Sequence, residues 1–237
     1  MTETSTTTNS GAGAVLISGG ASGLGAAVVE AVRAQGGTPL VLDRAAPADG
    51  VAHVRVDLAD TEAVDAAVGA LAEQVGGRID GVFTAAGIDS CGTLQDVPAK
   101  EWEQVIVVNL LGTAAVVRSA LPFLQRGRSR IVTVASTLGI KAVSDATAYC
   151  ASKFGVVGFT RALAAELAGD IGVTLLIPGG MHTAFFDGRT EQYKPPPDAK
   201  LNQPADVAAT VLFALSQPPG CEIRELVVCA STESSWP

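Results

Sequence analysis

The run Ala14-Val15-Leu16-Ile17-Ser18 leads straight into Gly19-Gly20-Ala21-Ser22-Gly23-Leu24-Gly25, which opens a helical apolar pattern over residues 26–35. A short apolar run of this kind reads as a buried strand. Glycines placed between a strand and a helix permit a tight turn and a close approach of backbone to a pyrophosphate. The helix N-terminus adds unpaired N–H groups and the positive end of its dipole. Alone, a glycine-rich stretch is often only a flexible turn. Between a strand and a helix it points to dinucleotide binding, with Gly19, Ser22, Gly23, Leu24 and Gly25 at the contact positions.

The alternation of strand and helix then repeats along the chain. Residues 39–43 read as a second strand ending in Asp43, about twenty residues beyond the turn, where a carboxylate can accept both adenosine ribose hydroxyls and repel a 2′-phosphate. This favours NAD over NADP. The neighbouring Arg44 could accommodate that phosphate, but no basic residue lies within the turn to help it. As a strand-end residue Asp43 is also ordinary turn chemistry. A third strand, 52–57, closes at Asp57-Leu58, and the helix 61–74 follows. A fourth strand, 79–84, continues into Ala85-Ala86-Gly87, small enough for a nucleotide to pass closely. A long helix over 100–124 carries Asn109 on an otherwise apolar face, either as a buried amide satisfied by backbone or as a holder of water. The fifth strand, 130–135, is closed by Ser136, and a helix over 148–167 follows. The sixth, 172–177, ends in Pro178-Gly179-Gly180-Met181-His182-Thr183. Residues 184–202 are polar, with Phe185, Phe186, Tyr193 and Pro195 to Pro197, and read as a lid. A helix over 204–216 and a strand over 224–229 complete the chain. This order predicts an α/β fold: a Rossmann-type, doubly wound, mostly parallel seven-stranded sheet with helices on both faces.

Composition narrows the partners. Charged residues are only 17% of the 237 and apolar ones 48%, so much surface must be hidden in a two-sided core or between subunits. The formal charge of −8 argues against nucleic acid or an anionic membrane as partner. Cys91, Cys150, Cys221 and Cys229 have no metal-like spacing, and His53 and His182 are far apart, so no metal site is expected. Reduced thiols, the lack of a signal-peptide pattern and of an apolar run of about 18–20 residues together predict a cytoplasmic protein. Residues 1–13, rich in Thr and Ser, read as a mobile tail before a single domain over 14–237.

Tyr149 and Lys153, four apart, share one face of a helix. Phenol titrates near ~10 and lysine near ~10.4, so neither alone is a useful base at neutral pH. An adjacent ammonium would draw the phenol down and make it a proton donor and acceptor for an alcohol or ketone. Taken alone, the pair reads better as a partly exposed tyrosine over a surface lysine.

Together these residues resemble the short-chain dehydrogenase/reductase family, closely over residues 15–183. Ser18 to Gly25 matches its Thr-Gly-x-x-x-Gly-x-Gly with serine first, and Asp57-Leu58 its adenine-side acid–aliphatic pair. Asn109, Ser136, Tyr149 and Lys153 match its catalytic tetrad, and Pro178-Gly179 with Thr183 its nicotinamide-side turn, which also brings Met181 to the cofactor. Two departures stand out. Ala85-Ala86-Gly87 replaces Asn-Ala-Gly, and the chain ends in Glu233-Ser234-Ser235-Trp236-Pro237 rather than with Asp-Gly-Gly.

The resemblance implies an NAD-dependent oxidoreductase acting on a secondary alcohol or ketone, assembled as a homotetramer or homodimer. Tyr149 would exchange the proton and Ser136 bind the substrate oxygen. Lys153 would hold the nicotinamide ribose, and Asn109 a water. Two other readings are an NADPH-dependent reductase of carrier-linked 3-oxoacyl groups, which Asp43 disfavours, and a catalytically silent dinucleotide-binding redox sensor. The residues after Ser136 (Thr137, Leu138, Gly139, Ile140) and the lid suggest a mostly apolar substrate pocket.

Overall fold

A computed structural model describes residues 12–236 of the chain. Of the expected N-terminal tail, residues 1–11 lie outside the described residues, whereas the Gly13 carbonyl accepts the Thr38 N–H at 2.8 Å and so extends the pairing of the first two strands. The strands are β1 (Ala14–Ser18), β2 (Thr38–Asp43), β3 (Ala52–Arg55), β4 (Gly81–Thr84), β5 (Arg130–Val134), β6 (Gly172–Pro178) and β7 (Glu225–Val228). The helices are α1 (Gly23–Ala34), α2 (Thr61–Glu73), α3 (Ala99–Ile106), α4 (Thr113–Ala120), α5 (Thr147–Glu166) and α6 (Pro204–Leu215).

All seven strands are parallel, in the order β3-β2-β1-β4-β5-β6-β7. A parallel sheet must be covered on both faces, and alternation along each strand supplies both cores. Leu16, Leu40, Leu42, Val82 and Ile131 pack with α2 and α4, among Val64, Leu71, Val116 and Ala120. Val15, Ile17, Val41, Phe83 and Val132 point the other way, onto Val28, Val32, Val207 and Val211 of α1 and α6. Each fully buried side chain of this size stabilises the fold by about 1.5–3 kcal/mol before chain entropy is counted. Strand order reverses between β1 and β4, and the crevice beyond the carboxyl ends of these strands is where open sheets of this kind bind ligands.

The continuous helix expected over 100–124 is in fact divided. Between α3 and α4 the backbone widens into a π-helical segment, Val107–Gly112, with Asn109 inside it. Gly112 permits this packing, because a Cβ there would lie 2.8 Å from the Leu58 Cβ. The same stretch corrects the expectation that no apolar run could span a bilayer. Ala99–Phe123 is long and apolar enough by length and composition, but Val105, Val116, Val117 and Ala120 are spent on the protein's own core. Strand three also ends early, because Asp57 turns its carboxylate onto the Ala59 N–H at 3.0 Å and leaves the ladder. Strand four begins late, since Ile79 pairs instead with Leu124.

Candidate active site

A cleft of about 1040 Å³ opens over the carboxyl ends of the strands, and residues from every sequence motif line it. At one end lies the glycine turn. Gly19 has φ +75°, and a Cβ there would sit 2.6 Å from the Ala86 N. A Cβ on Gly25 would fall on the Gly19 carbonyl oxygen. These two glycines are required by close backbone approach, and Ala86 is the partner that the small-residue run supplies. Gly23, at φ +54°, faces the Thr183 methyl across the cleft. Ser22 caps α1 only through its backbone, so its hydroxyl is uncommitted, and no acid occupies the first turn to neutralise the helix dipole. The cradle fits a pyrophosphate.

Asp43 sits beside the turn and helps to shape it. One carboxylate oxygen accepts the Ala21 N–H and the other the Ala45 N–H, each at 3.0 Å, leaving one lone pair on each oxygen for a ligand. Asp57 and the buried Leu58 line the same end, with Arg44.

At the other end Tyr149, Lys153 and Ser136 meet. Ser136 follows β5 with an extended backbone, and its hydroxyl accepts the Leu138 N–H at 3.1 Å, capping the turn Thr137–Gly139. That turn packs tightly on α5, since a Cβ on Gly139 would lie 2.8 Å from the Lys153 carbonyl oxygen. Asp145, at φ +58°, sets the entry into α5, and its carbonyl accepts the Gly92 N–H. Lys153 Nζ is buried, donates to the Val134 carbonyl at 2.9 Å and lies 5.6 Å from the Tyr149 ring centre.

Electrostatics here depart from the sequence expectation that Lys153 draws Tyr149 toward neutrality. Burial pushes the phenol well above its ordinary value, the nearby Ser136 hydroxyl only partly offsets this, and Asp89 pushes the same way as burial. Burial also lowers Lys153 to about 8, against an opposing pull from Asp89. Low dielectric is the dominant influence on both groups.

Asn109 is fully buried, and its carboxamide makes three hydrogen bonds, with one Oδ1 lone pair left over. Its Oδ1 accepts the Ile88 N–H at 2.8 Å; its Nδ2 donates to the Ile88 carbonyl at 2.9 Å and to Ser152 Oγ at 3.0 Å. Ser152 in turn donates to the Tyr149 carbonyl at 2.8 Å. Both Ile88 backbone groups satisfy the amide, as in the first of the two roles open in the sequence. It fastens the loop after β4 to the helix that carries Tyr149.

Ala85, Ala86, Gly87, Pro178, Gly179, Met181 and Thr183 all line the cleft, as expected. His53 and His182 are exposed and outside it, and Cys150 is packed in the core. The expectation of a mostly apolar pocket holds only in part. Thr137 and Leu138 line the cleft with Ile88, Val143, Phe185 and Phe186, but Ile140 packs into the core instead. Charged Arg189, Asp198, Lys200 and Glu233 also line it.

Three contributors escaped the sequence reading. Asp89 lies two residues past Gly87, behind the cleft-lining Ile88, and that position is an available signal. Arg189 and Glu233 reach the cleft from the lid and the C-terminal segment, and no local pattern announces either.

Residues 13–194 match the family model for short chain dehydrogenases. An uncharacterised oxidoreductase of Staphylococcus aureus is 31% identical over 225 residues, covering 90% of this chain and 95% of its own. A D-threitol dehydrogenase of Mycolicibacterium smegmatis is 31% identical over 221 residues, covering 85% of each chain. Among solved structures, the ligand-free aldohexose dehydrogenase of Thermoplasma acidophilum superposes with a TM-score of 0.80 at 23% identity, over 92% of both chains. A short chain dehydrogenase from Burkholderia cenocepacia in complex with NADP gives 0.82 at 24% identity, over 93% of this chain and 97% of that one. The chain belongs to the short-chain dehydrogenase family of oxidoreductases.

Proposed function

We propose that the protein transfers hydride between NAD and a secondary alcohol or ketone, with Tyr149 as general acid and base. The observation that carries this reading is the convergence of Tyr149, Ser136 and Lys153 in one cleft with the glycine turn and Asp43. A dinucleotide held there supplies the hydride acceptor or donor; the protein supplies orientation and proton handling. Gly19, Gly25 and the start of α1 hold the pyrophosphate, Asp43 the adenosine ribose, and Lys153 the nicotinamide ribose. Pro178, Met181 and Thr183, which line the same cleft, would border the nicotinamide.

The phenol oxygen of Tyr149 exchanges a proton with the substrate oxygen, and Ser136 hydrogen-bonds that same oxygen as charge develops on it. A phenol pushed up by burial is protonated at neutral pH and ready to donate during ketone reduction. In the oxidative direction it must accept a proton, and there the positive charge of Lys153 assists.

Preference for NAD rests on Asp43, whose carboxylate would oppose a 2′-phosphate. The Burkholderia relative was solved with NADP, so both dinucleotides belong in the test. Assembly as a homotetramer or homodimer in the cytoplasm completes the proposal. The low share of charged residues, 17% of the chain, supports it, since apolar surface not hidden in the core is left for subunit contacts. A compact monomer in light scattering would contradict that part.

The direct test is a panel of secondary alcohols, polyols and ketones, followed by nicotinamide absorbance with NAD(H) and NADP(H) side by side. The M. smegmatis relative, a D-threitol dehydrogenase, puts polyols high on the panel. Turnover with NAD(H) well above NADP(H) is expected. Turnover with NADP(H) alone would overturn the cofactor assignment, and none with either would overturn the reaction.

A further inference from the structure

We infer that Glu233, in the C-terminal segment, is a positioning residue that ties the loop bearing Ser136 to the loop that faces the nicotinamide; the inference rests on the cleft being the proposed dinucleotide site. Glu233 Oε2 accepts the Gly180 N–H at 3.1 Å, across 53 residues of chain. Its other oxygen accepts the Ser235 N–H at 3.2 Å and the Ser235 hydroxyl at 2.7 Å. Ser235 Oγ also lies 2.6 Å from Thr137 Oγ1.

The direction of this chain follows from donor counting. A carboxylate only accepts, so the single Ser235 hydroxyl proton is committed to Glu233, and Thr137 must donate to Ser235. One carboxylate thereby collects the loop after β6 directly and the loop after β5 through a hydroxyl relay. Thr137 is the immediate neighbour of Ser136, and Gly180 precedes Met181. Burial pushes the Glu233 carboxyl up, but the bonds from Ser235 and Gly180 outweigh it and hold the group below its ordinary value, so it is ionised at neutral pH.

The glycine pair after Pro178 makes the approach possible. A Cβ on Gly179 would stand 2.5 Å from Glu233 Oε2 and 2.7 Å from the Cys229 Cβ. The segment is anchored within the relay and just beyond it. Lys141 Nζ donates to the Ser234 carbonyl at 3.0 Å, and Trp236 packs on the core cluster of Ala135, Val156 and Ile177. Residues 233–236 therefore pack against the chain's own cleft and core.

The test uses the full-length protein and NADH, or NADPH if that binds more tightly, titrated by fluorescence. Thermal unfolding and steady-state kinetics are measured on the same samples. The variants are Glu233→Ala, Glu233→Gln and Ser235→Ala. Glu233→Ala should weaken cofactor binding about tenfold, as expected for one lost hydrogen bond to a charged group. Glu233→Gln, which keeps one acceptor, should recover part of that loss. Ser235→Ala spares the Gly180 bond, so it should lower kcat with cofactor affinity within about twofold of wild type.

Wild-type affinity in Glu233→Ala would overturn the inference. So would a loss of affinity that tracks a fall in melting temperature and is not recovered by Glu233→Gln. If Glu233→Ala does not fold, unchanged affinity in Glu233→Gln together with unchanged kcat in Ser235→Ala would overturn it. Wild-type protein that binds neither dinucleotide would remove the reading of the cleft itself, and this inference with it.

Discussion

Asp89 Oδ2 and Arg189 Nη2 lie 2.6 Å apart, joining the loop after β4 to the lid across 100 residues of sequence. Both side chains are largely buried, at 6% and 18% exposed. The guanidinium carbon also stands 5.2 Å from the Phe185 ring centre and 4.7 Å from that of Phe186, and Phe185 leans on Tyr149 with ring centres 5.8 Å apart. The segment after β6, read from the sequence as a lid, is thus fastened against the Tyr149 ring by one ion pair with aromatic backing.

Replacing Arg189 by Met would leave Asp89 without its cation. Breaking a buried pair in place costs about 3–5 kcal/mol, but opening the lid lets water reach the carboxylate at smaller cost, so the lid should open. The expected result is faster proteolysis at Lys194 and Lys200, KM raised several-fold and a modest loss of global stability. Limited proteolysis and steady-state kinetics check it. Unchanged cleavage would show that the latch does not hold the lid.

Burial of Lys153 gives a pH signature. Its pKa is about 8 in the folded protein against an ordinary value near 10.5, so between these values the unfolded chain binds the extra proton. Stability therefore rises with pH through that window, by up to roughly 3 kcal/mol from this group. Tyr149, raised on folding, acts oppositely and removes stability above pH ~10. Urea unfolding of wild type and Lys153→Met, without added dinucleotide, should show the wild-type advantage growing from pH 8 to pH ~10. A pH-independent difference would mean that Lys153 is charged throughout.

Asn109→Ala would orphan both backbone groups of Ile88 and the hydrogen bond to Ser152. Each buried group left unsatisfied costs about 1–3 kcal/mol. A loss of roughly 2–4 kcal/mol in denaturant unfolding is expected, together with lower kcat because the Tyr149 helix loses its tie to the β4 loop. A stable, fully active variant would assign Asn109 no positioning role.

The glycine turn separates two kinds of requirement. In Gly25→Ala the new methyl meets the Gly19 carbonyl, which is backbone and cannot yield cheaply, so cofactor binding should fall by more than an order of magnitude. In Gly23→Ala the methyl meets Thr183 Cγ2 at an ordinary 3.4 Å, and the cost is mainly the positive φ, about 1–2 kcal/mol. Fluorescence titration of NADH should therefore rank Gly25→Ala well below Gly23→Ala. The reverse order would mean that close backbone approach does not govern the turn.

Local patterns made most of this molecule legible. Apolar strands, a glycine turn and small residues after β4 carry their structure in short windows, which is why the sheet, its two cores and the glycine-turn end of the cleft are legible directly. The π-helical widening at Asn109 could not, because the apolar spacing over 100–124 is helical throughout and the departure depends on Leu58 meeting Gly112 in space. The Asp89–Arg189 latch and the Glu233 relay span 100 and 53 residues, and no periodicity encodes partners that far apart. Burial was the other hidden quantity. Proximity of Tyr149 and Lys153 suggested a lowered phenol pKa, yet desolvation dominates both groups once the fold surrounds them.

The reaction proposed for the cleft depends on the Tyr149 hydroxyl carrying the proton. The decisive variant is Tyr149→Phe, with turnover on the best substrate of the panel and NADH affinity determined on the same preparation. Wild-type affinity is expected, with a kcat lower by at least about a hundredfold, the low end of general acid–base contributions. Turnover within a few-fold of wild type, with affinity intact, would take the proton away from Tyr149.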